Sequence, residues 1–282
     1  MIAITGATGH LGQLVINDLL KTVAANRLVA IVRNPAKAQA LQQQGIIVRQ
    51  ADYRDQAAFT AALEGVEKLL LISSSEVGQR ATQHQNVINA AVAAGVKFIA
   101  YTSLLHADKS PLGLHVEHVV TEKALAASGI PYALLRNGWY SENYLASAPA
   151  ALEHGVFIGA AGEGKIAAAT RADYAAAAAK VIREEGHAGK VYELAGDNAW
   201  TLSQLSAELS KQSGKNVVYQ NLSEADFAAA LKGVGLPAAL ADMLADSDTG
   251  ASKGGLFDDS HTLSRLIGRP TTTLAESVKA IL

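Results

Sequence analysis

Residues 1–12 read MIAITGATGHLG, and the fold turns on them. Ile2, Ala3 and Ile4 form a short apolar run of the kind a buried parallel strand carries, and glycines follow at positions 6, 9 and 12. Leu11, Leu14, Val15 and Leu19 then recur at helical spacing. The glycines therefore fall at a strand-to-helix turn, the context in which such a pattern points to a dinucleotide's pyrophosphate rather than to a tight turn without a ligand. A side chain there would hold the backbone away from the phosphates, and free N–H groups at a helix N-terminus stabilise anionic oxygen. Gly6, Ala7, Thr8, Gly9, His10, Leu11 and Gly12 are the expected pyrophosphate-binding residues, His10 through its backbone N–H rather than its ring.

The first two glycines stand three apart, with Thr5 before and Ala7-Thr8 between them, which resembles the atypical and extended short-chain dehydrogenase/reductase pattern more than G-x-G-x-x-G. Downstream, apolar runs alternate with helical segments. Residues 28–33 (LVAIVR) form a second strand; Asn34-Pro35 supplies an N-cap and a proline at the first helical position, and that helix stops at Gly45. Residues 46–52 form a third strand, Asp55 caps a helix ending at Gly65, and residues 68–74 (KLLLISS) form a fourth strand. A helix over 79–94 leads to a fifth strand, 97–103 (KFIAYTS), and a helix ending near residue 128 leads to a sixth, 132–136 (YALLR). Six alternations predict an α/β fold, a doubly wound Rossmann-type parallel sheet with helices on both faces.

Beyond Arg136 the rhythm changes. Residues 137–142 (NGWYSE) read as a loop, 143–154 as a helix, and the glycines within 156–168 suit a hairpin. Asp173 caps an alanine-rich helix, and 190–195 (KVYELA) form a further strand. Helices over 201–213, 224–232 and 237–245 surround a strand at 216–221. The expected division is a nucleotide-binding domain over 1–196, with 137–170 contributing to the cleft, and a smaller C-terminal α/β substrate lobe over 197–282. Residues 246–260 (DSDTGASKGGLFDDS), rich in glycine, serine and aspartate, read as a mobile, solvated connection, and their acids fit no EF-hand spacing.

The chain has 282 residues, 49% hydrophobic and 18% charged, an ordinary balance for a globular α/β enzyme. A formal net charge of −2 with no basic block gives no reason to expect nucleic acid or a membrane surface as partner. The absence of cysteine removes disulfides, thiolate metal sites and thiol chemistry. No apolar run is long enough to span a bilayer and no leader pattern precedes the first strand, so the expected location is the cytoplasm.

Cofactor choice follows from charge. A site selective for NAD places an acid at the end of the second strand to accept hydrogen bonds from the ribose hydroxyls. Between Leu19 and Ala51 this chain has no acid at all, whereas Arg33 ends the second strand and Lys37 follows one turn later. A guanidinium binds a 2′-phosphate through paired hydrogen bonds, so NADPH is the expected cofactor. The plainer alternatives are a solvated strand end for Arg33 and a helix-surface residue for Lys37. Asp52, at the tip of the third strand, either meets the adenine amino group or closes the turn before Asp55.

Catalysis is less legible. Typical short-chain enzymes use a Ser or Thr after the fifth strand and a Tyr-x-x-x-Lys pair on the next helix. Thr102, Ser103 and Lys123 fit, but Val119 stands where the tyrosine belongs. The missing proton donor argues against reversible alcohol oxidation and against sugar epimerisation. His115 and His118 lack a third metal ligand, and no nucleophile elbow surrounds residues 73–75. No metal site is expected.

TGATGHLG, the Val32-Arg33-Asn-Pro segment, residues 69–75 (LLLISSS), Tyr101-Thr-Ser, Thr121-Glu-Lys, residues 135–143 (LRNGWYSEN) and residues 266–270 (LIGRP) together resemble the NmrA-like atypical short-chain dehydrogenases, and within them the bacterial NADPH:quinone reductases. The likeness covers essentially the whole chain. It implies a two-lobed homodimeric protein that reduces quinones with NADPH. By position it implies Ser73, Ser74 and Ser75 along the path to the nicotinamide, Asn137, Gly138, Trp139, Tyr140, Ser141 and Glu142 around its far end, and Arg171 closing over the cofactor. Tyr140, Asn143 and Lys123 are the candidate donors to a quinone oxygen, with Trp139 or Tyr140 as an aromatic wall. The alternatives are a core position for Trp139, a helix cap for Asn143 and an exposed helix position for Lys123. A second class stays open, a non-catalytic NADP(H) redox sensor of the regulatory NmrA type.

Overall fold

The computed structural model describes residues 1–282. By contact density the chain divides into two units, each built from separated segments: unit 1 comprises Met1–Leu104, Val116–Arg136 and Arg171–Tyr192, and unit 2 comprises Leu105–His115, Asn137–Thr170 and Glu193–Leu282.

The principal sheet has seven strands: β1 (Ile2–Ile4), β2 (Leu28–Val32), β3 (Ile47–Gln50), β4 (Lys68–Leu71), β5 (Phe98–Leu104), β6 (Tyr132–Asn137) and, beyond β7, β8 (Val191–Leu194). Their order is β3-β2-β1-β4-β5-β6-β8. β1 lies parallel to β2 and β4, with Ile2 opposite Leu28 on one side and Lys68 on the other. Successive strands run outward to one side from β1 to β3 and to the other side from β4, so the order reverses between β1 and β4. In open α/β sheets the C-terminal ends of strands at such a reversal are where ligands sit.

In unit 1 the helices are α1 (His10–Leu19), α2 (Gln39–Gln43), α3 (Gln56–Ala62), α4 (Arg80–Ala93), α5 (His115–Ala127) and, after α6 and α7, α8 (Arg171–Arg183). α1 buries Leu11, Val15, Ile16 and Leu19 and packs along α8. Because α8 starts at Arg171, Asp173 lies inside its first turn, fully buried, where an acid also favours the helix N-terminus. Ala3, Val29, Leu69, Leu71, Ile99 and Tyr101 from the strands meet Phe59, Val87, Ile88 and Leu125 from the helices in one apolar core.

Unit 2 holds α6 (Ser141–Leu145), α7 (Ala148–His154), β7 (Val156–Gly159), α9 (Leu202–Ser213), β9 (Val218–Asn221), α10 (Glu224–Gly233), α11 (Ala238–Ser252), α12 (Thr262–Ile267) and α13 (Leu274–Lys279). The hairpin expected within 156–168 is absent. β7 pairs instead with β9, in parallel, Val156 opposite Val218. The glycine at 159 marks close approach rather than a turn, since a Cβ there would lie 2.6 Å from Leu202 Cδ1 and 2.8 Å from Asp248 Oδ2. Nor are residues 246–260 one solvated connection, because α11 continues to Ser252 and buries Ala241, Ala245, Ser247, Asp248 and Ala251. Gly250 belongs to that helix because Leu112 packs on it, with Cδ1 only 2.7 Å from where a Cβ would stand.

Candidate functional site

The glycine turn opens where β1 ends. Buried Thr5 receives the Ile72 N–H on Oγ1 at 2.9 Å, and the Tyr53 hydroxyl lies 2.7 Å from both Thr5 Oγ1 and Ile72 O. Burial pushes the Tyr53 pKa up, so its hydroxyl stays a donor and ties β1 to the segment after β4. Gly6 takes a left-handed conformation (φ +58°), which glycine alone adopts without strain, and its carbonyl accepts the Gly9 N–H at 2.9 Å. A Cβ on Gly12 would lie 2.4 Å from Gly6 O and 2.9 Å from Ala7 Cα, so the third glycine lets helix and turn touch. Ala7 and Leu11 are buried, Gly9 and His10 exposed. α1 starts without a side-chain cap and without an acid in its first turn. Its leading N–H groups and partial positive charge therefore meet no competing carboxylate, and these residues fit a pyrophosphate.

Arg33 follows β2 directly and is exposed; Gln50 Nε2 donates to its carbonyl at 3.0 Å and its own Nη1 donates to Glu76 Oε1 at 2.7 Å. Asn34 starts the turn after it by accepting the Ala36 N–H on its side chain at 3.0 Å, and Lys37 stands exposed one turn further. Asp52 is committed to its neighbour. Arg54 Nε donates to Oδ1 at 2.9 Å and Nη2 to Oδ2 at 3.0 Å, which holds the Asp52 carboxyl down to about 2, and the Asp52 carbonyl takes the Asp55 N–H. Asp52 thus closes the turn before Asp55, which caps α3.

The loop after β4 is held by two buried side chains, Thr102 and, without any signal in the sequence, His84. Ser73 donates its N–H to Thr102 Oγ1 at 2.8 Å, and Ser74 donates its N–H to His84 Nε2 at 2.9 Å. Since Nε2 accepts, the His84 proton sits on Nδ1, which faces Thr121 Oγ1 at 2.9 Å, and that hydroxyl donates its own hydrogen bond to Glu117 O at 2.9 Å. Burial lowers the His84 pKa to about 3, so the ring stays neutral. Ser75 is exposed. His118 is likewise buried and neutral, 2.7 Å from the Tyr101 hydroxyl.

At the end of β5 the structure selects a different α5 residue from the one expected. Ser103 Oγ donates to Glu122 Oε1 at 2.5 Å, and Arg136 clamps the same carboxylate through Nε at 3.0 Å and Nη2 at 2.7 Å. Glu122 and Arg136 are both nearly buried. Lys123, one residue on, is exposed on the far side of α5 from the buried stripe of His118, Thr121 and Leu125. A short Ser-to-acid-to-Arg chain has no pattern of its own in sequence, because Glu122 reads as an ordinary helix-surface acid.

In unit 2, Asn137 and Trp139 are buried and Tyr140 half-buried. Asn137 accepts the Leu105 N–H on its carbonyl at 2.9 Å, and its buried side-chain Oδ1 has no hydrogen-bond partner. Gly138 N–H reaches Leu194 O at 2.7 Å and Ser141 N–H reaches Ala169 O at 2.9 Å, which fixes the path of the segment. Tyr140 precedes α6, whose first residue is Ser141, with Glu142 in its first turn. Asn143 lies inside that helix rather than at its start, and two short helices, α6 and α7, stand where a single helix over 143–154 was expected. Behind it, Tyr144 donates its hydroxyl to Asp248 Oδ1 at 3.2 Å, and Asp248 Oδ2 takes the Ala160 N–H at 2.9 Å. Arg171, the first residue of α8, belongs to unit 1.

The sequence profile of the NmrA-like family matches residues 1–275. The chain belongs to the NmrA-like family. Among curated proteins, this NmrA-like chain is 82% identical over 278 residues to quinone oxidoreductase 2 of Escherichia coli K12, spanning 99% of this chain and 97% of that one. It is 30% identical to an NAD(P)H azoreductase of Xenophilus azovorans over 99% of its own length and 97% of the relative. Among solved structures, the E. coli NADPH-dependent quinone oxidoreductase complexed with NADPH superposes with a TM-score of 0.98 at 81% identity, covering 100% of this chain and 99% of that one. The Citrobacter triphenylmethane reductase complexed with NADP(H) superposes with a TM-score of 0.96 at 41% identity, both chains covered in full.

Proposed function

We infer that this chain is an NADPH-dependent quinone reductase. The observation that carries the reading is the uncapped, acid-free glycine turn with Arg33 beside it, in a chain 82% identical to a quinone oxidoreductase. That degree of identity favours turnover over a purely regulatory, cofactor-sensing role. Residues 6–12 would bind the pyrophosphate through backbone N–H groups, and Arg33, with Lys37 adding charge, the 2′-phosphate. Ser73, Ser74 and Ser75 would line the way to the nicotinamide, held by Thr102 and His84. Asn137, Gly138, Trp139, Tyr140, Ser141 and Glu142 would surround its far end, where the unpartnered Asn137 Oδ1 is an acceptor for an amide, and Arg171 would close over the cofactor. When bound, NADPH supplies the hydride.

The chain's own contribution to chemistry is modest, which suits a site with Val119 in place of a proton-donating tyrosine. Reduction of a quinone yields a phenolate whose conjugate acid has a pKa of roughly 10, close to that of tyrosine. Water protonates it readily, so the enzyme needs orientation and donors to the developing oxyanion more than an acid. Tyr140, Asn143 and Lys123 are the proposed donors, with Trp139 or Tyr140 as the aromatic wall. The reading extends to a homodimer and a cytoplasmic setting. No helix is long and apolar enough to cross a membrane.

The test is the loss of NADPH absorbance with a small benzoquinone, against NADH as control. Rapid consumption is expected, with Arg33→Ala raising KM for NADPH at least about tenfold, the worth of a charge-assisted hydrogen bond, and leaving NADH unchanged. Tight NADPH binding without turnover across several quinones would refute the reductase reading.

A further inference from the structure

Arg33 already has a partner. Glu76 Oε1 accepts from its Nη1 at 2.7 Å, while Glu76 Oε2 accepts from Gln83 Nε2 at 2.7 Å and the Glu76 N–H is held by Ser74 Oγ at 3.1 Å. Gln83 is buried on α4, and Ser74 is itself fixed by His84 and, through its carbonyl, by Arg80 Nε at 2.5 Å. Glu76 is therefore a placed acid, with both carboxylate oxygens engaged and its backbone tied into the loop after β4. Its position matters because of the strand order. Arg33 follows β2 and Glu76 follows β4, the two neighbours of β1, so the ion pair spans the C-terminal end of the strand that leads into the glycine turn.

We propose that Glu76 is a specificity-determining residue that competes with the cofactor's 2′-phosphate for Arg33, so that a nucleotide must carry that phosphate to release the pair. The proposal rests on the reading of Arg33 as the 2′-phosphate ligand. The side chains of Arg33 and Glu76 are 57% and 36% exposed, and ion pairs this open are weak enough to exchange. A phosphate dianion offers more charge and more oxygens to the guanidinium than one carboxylate does. After the exchange Glu76 keeps Gln83 and stands as a like charge beside the phosphate, which moderates affinity. A nucleotide without the 2′-phosphate leaves Arg33 and Glu76 joined.

Nucleotide fragments isolate this contact from turnover. Titration calorimetry of adenosine 2′,5′-bisphosphate and adenosine 5′-monophosphate would be run on the wild type, Glu76→Gln and Arg33→Ala. Glutamine still accepts from Gln83, so the loop keeps its anchor. The Glu76→Gln variant should bind the bisphosphate about three- to tenfold more tightly, the size of a weak pair plus short-range repulsion, and the monophosphate unchanged. Equal gains for both nucleotides, no gain, or weaker bisphosphate binding would each overturn the proposal, the last showing that Glu76 positions Arg33 rather than rivals the phosphate. Arg33→Ala should abolish the preference for the bisphosphate. If it does not, the Arg33 reading itself fails, whatever Glu76→Gln does.

Discussion

Replacing Asp248 by asparagine should make the protein more stable at pH 8 and leave it little changed near pH 4. Asp248 is buried in unit 2, 5% exposed, with two donors, the Tyr144 hydroxyl and the Ala160 N–H, and no cation is among them. Burial raises its pKa from 3.8 to about 6, outweighing the two hydrogen bonds that favour the ionised form. A carboxyl whose folded pKa lies above its unfolded value contributes stability that is fully present below the unfolded pKa and is lost as pH rises through the folded one. At 1.36 kcal/mol per pKa unit, the rise from 3.8 to about 6 corresponds to about 3 kcal/mol of strain at neutral pH that is absent at pH 4. Asparagine removes the charge and keeps the shape. Its Oδ1 accepts from Ala160, and its Nδ2 donates to Tyr144, whose hydroxyl turns to accept. Tryptophan fluorescence during thermal unfolding is the suitable assay, since Trp139 and Trp200 both lie in unit 2 and Trp200 meets the Tyr144 ring edge-on at 5.4 Å. The difference in Tm between variant and wild type should grow by several degrees between pH 4 and pH 8, as expected for a few kcal/mol in a domain of this size. A difference independent of pH would refute the reasoning.

Two further substitutions test other contacts. Gly12→Ala places a Cβ 2.4 Å from Gly6 O, so the turn must open; at least about a tenfold loss of NADPH affinity is expected from fluorescence titration, together with a fall in Tm from about 1–3 kcal/mol of overpacking. Glu122→Ala leaves the buried Arg136 guanidinium without its bidentate carboxylate, and urea unfolding should register a loss of about 3–5 kcal/mol, whereas Lys123→Ala on the exposed side of α5 should cost less than about 0.5 kcal/mol.

The nucleotide-binding half was readable because its signals are local and repeat. Each strand up to β6 is a short apolar run, and each connection is marked by glycine, proline or a capping acid, as at Asp55. What escaped depends on neighbours distant in sequence. α11 carries Ser247, Asp248, Thr249 and Gly250, a composition that signals a loop, yet it stays helical because Ala241, Ala245 and Ala251 are buried and Leu112 needs the space a side chain at 250 would fill. Gly159 signalled a turn for the same reason, since in sequence a glycine that admits a neighbour looks like one that bends the chain. In the candidate site the glycine turn was legible because its strand-to-helix context and left-handed Gly6 are local features. Glu122 and His84 were not, since nothing within a helix's own sequence tells which polar residue will meet a hydroxyl or amide from a strand end.

The segmented make-up of unit 1 bears on how the protein comes into being. The apolar face of α1, formed by Leu11, Val15, Ile16 and Leu19, finds its cover in α8, which begins only at Arg171. On the ribosome the first helix therefore emerges long before its packing partner, and contacts this remote in sequence are slow to close. For that interval the nascent chain carries a bare hydrophobic stripe, a natural hold for chaperones. A gene fragment ending after β6 would leave the same stripe permanently uncovered, so the nucleotide-binding half is not a portable module that could be cut out at its last sequence motif and grafted elsewhere.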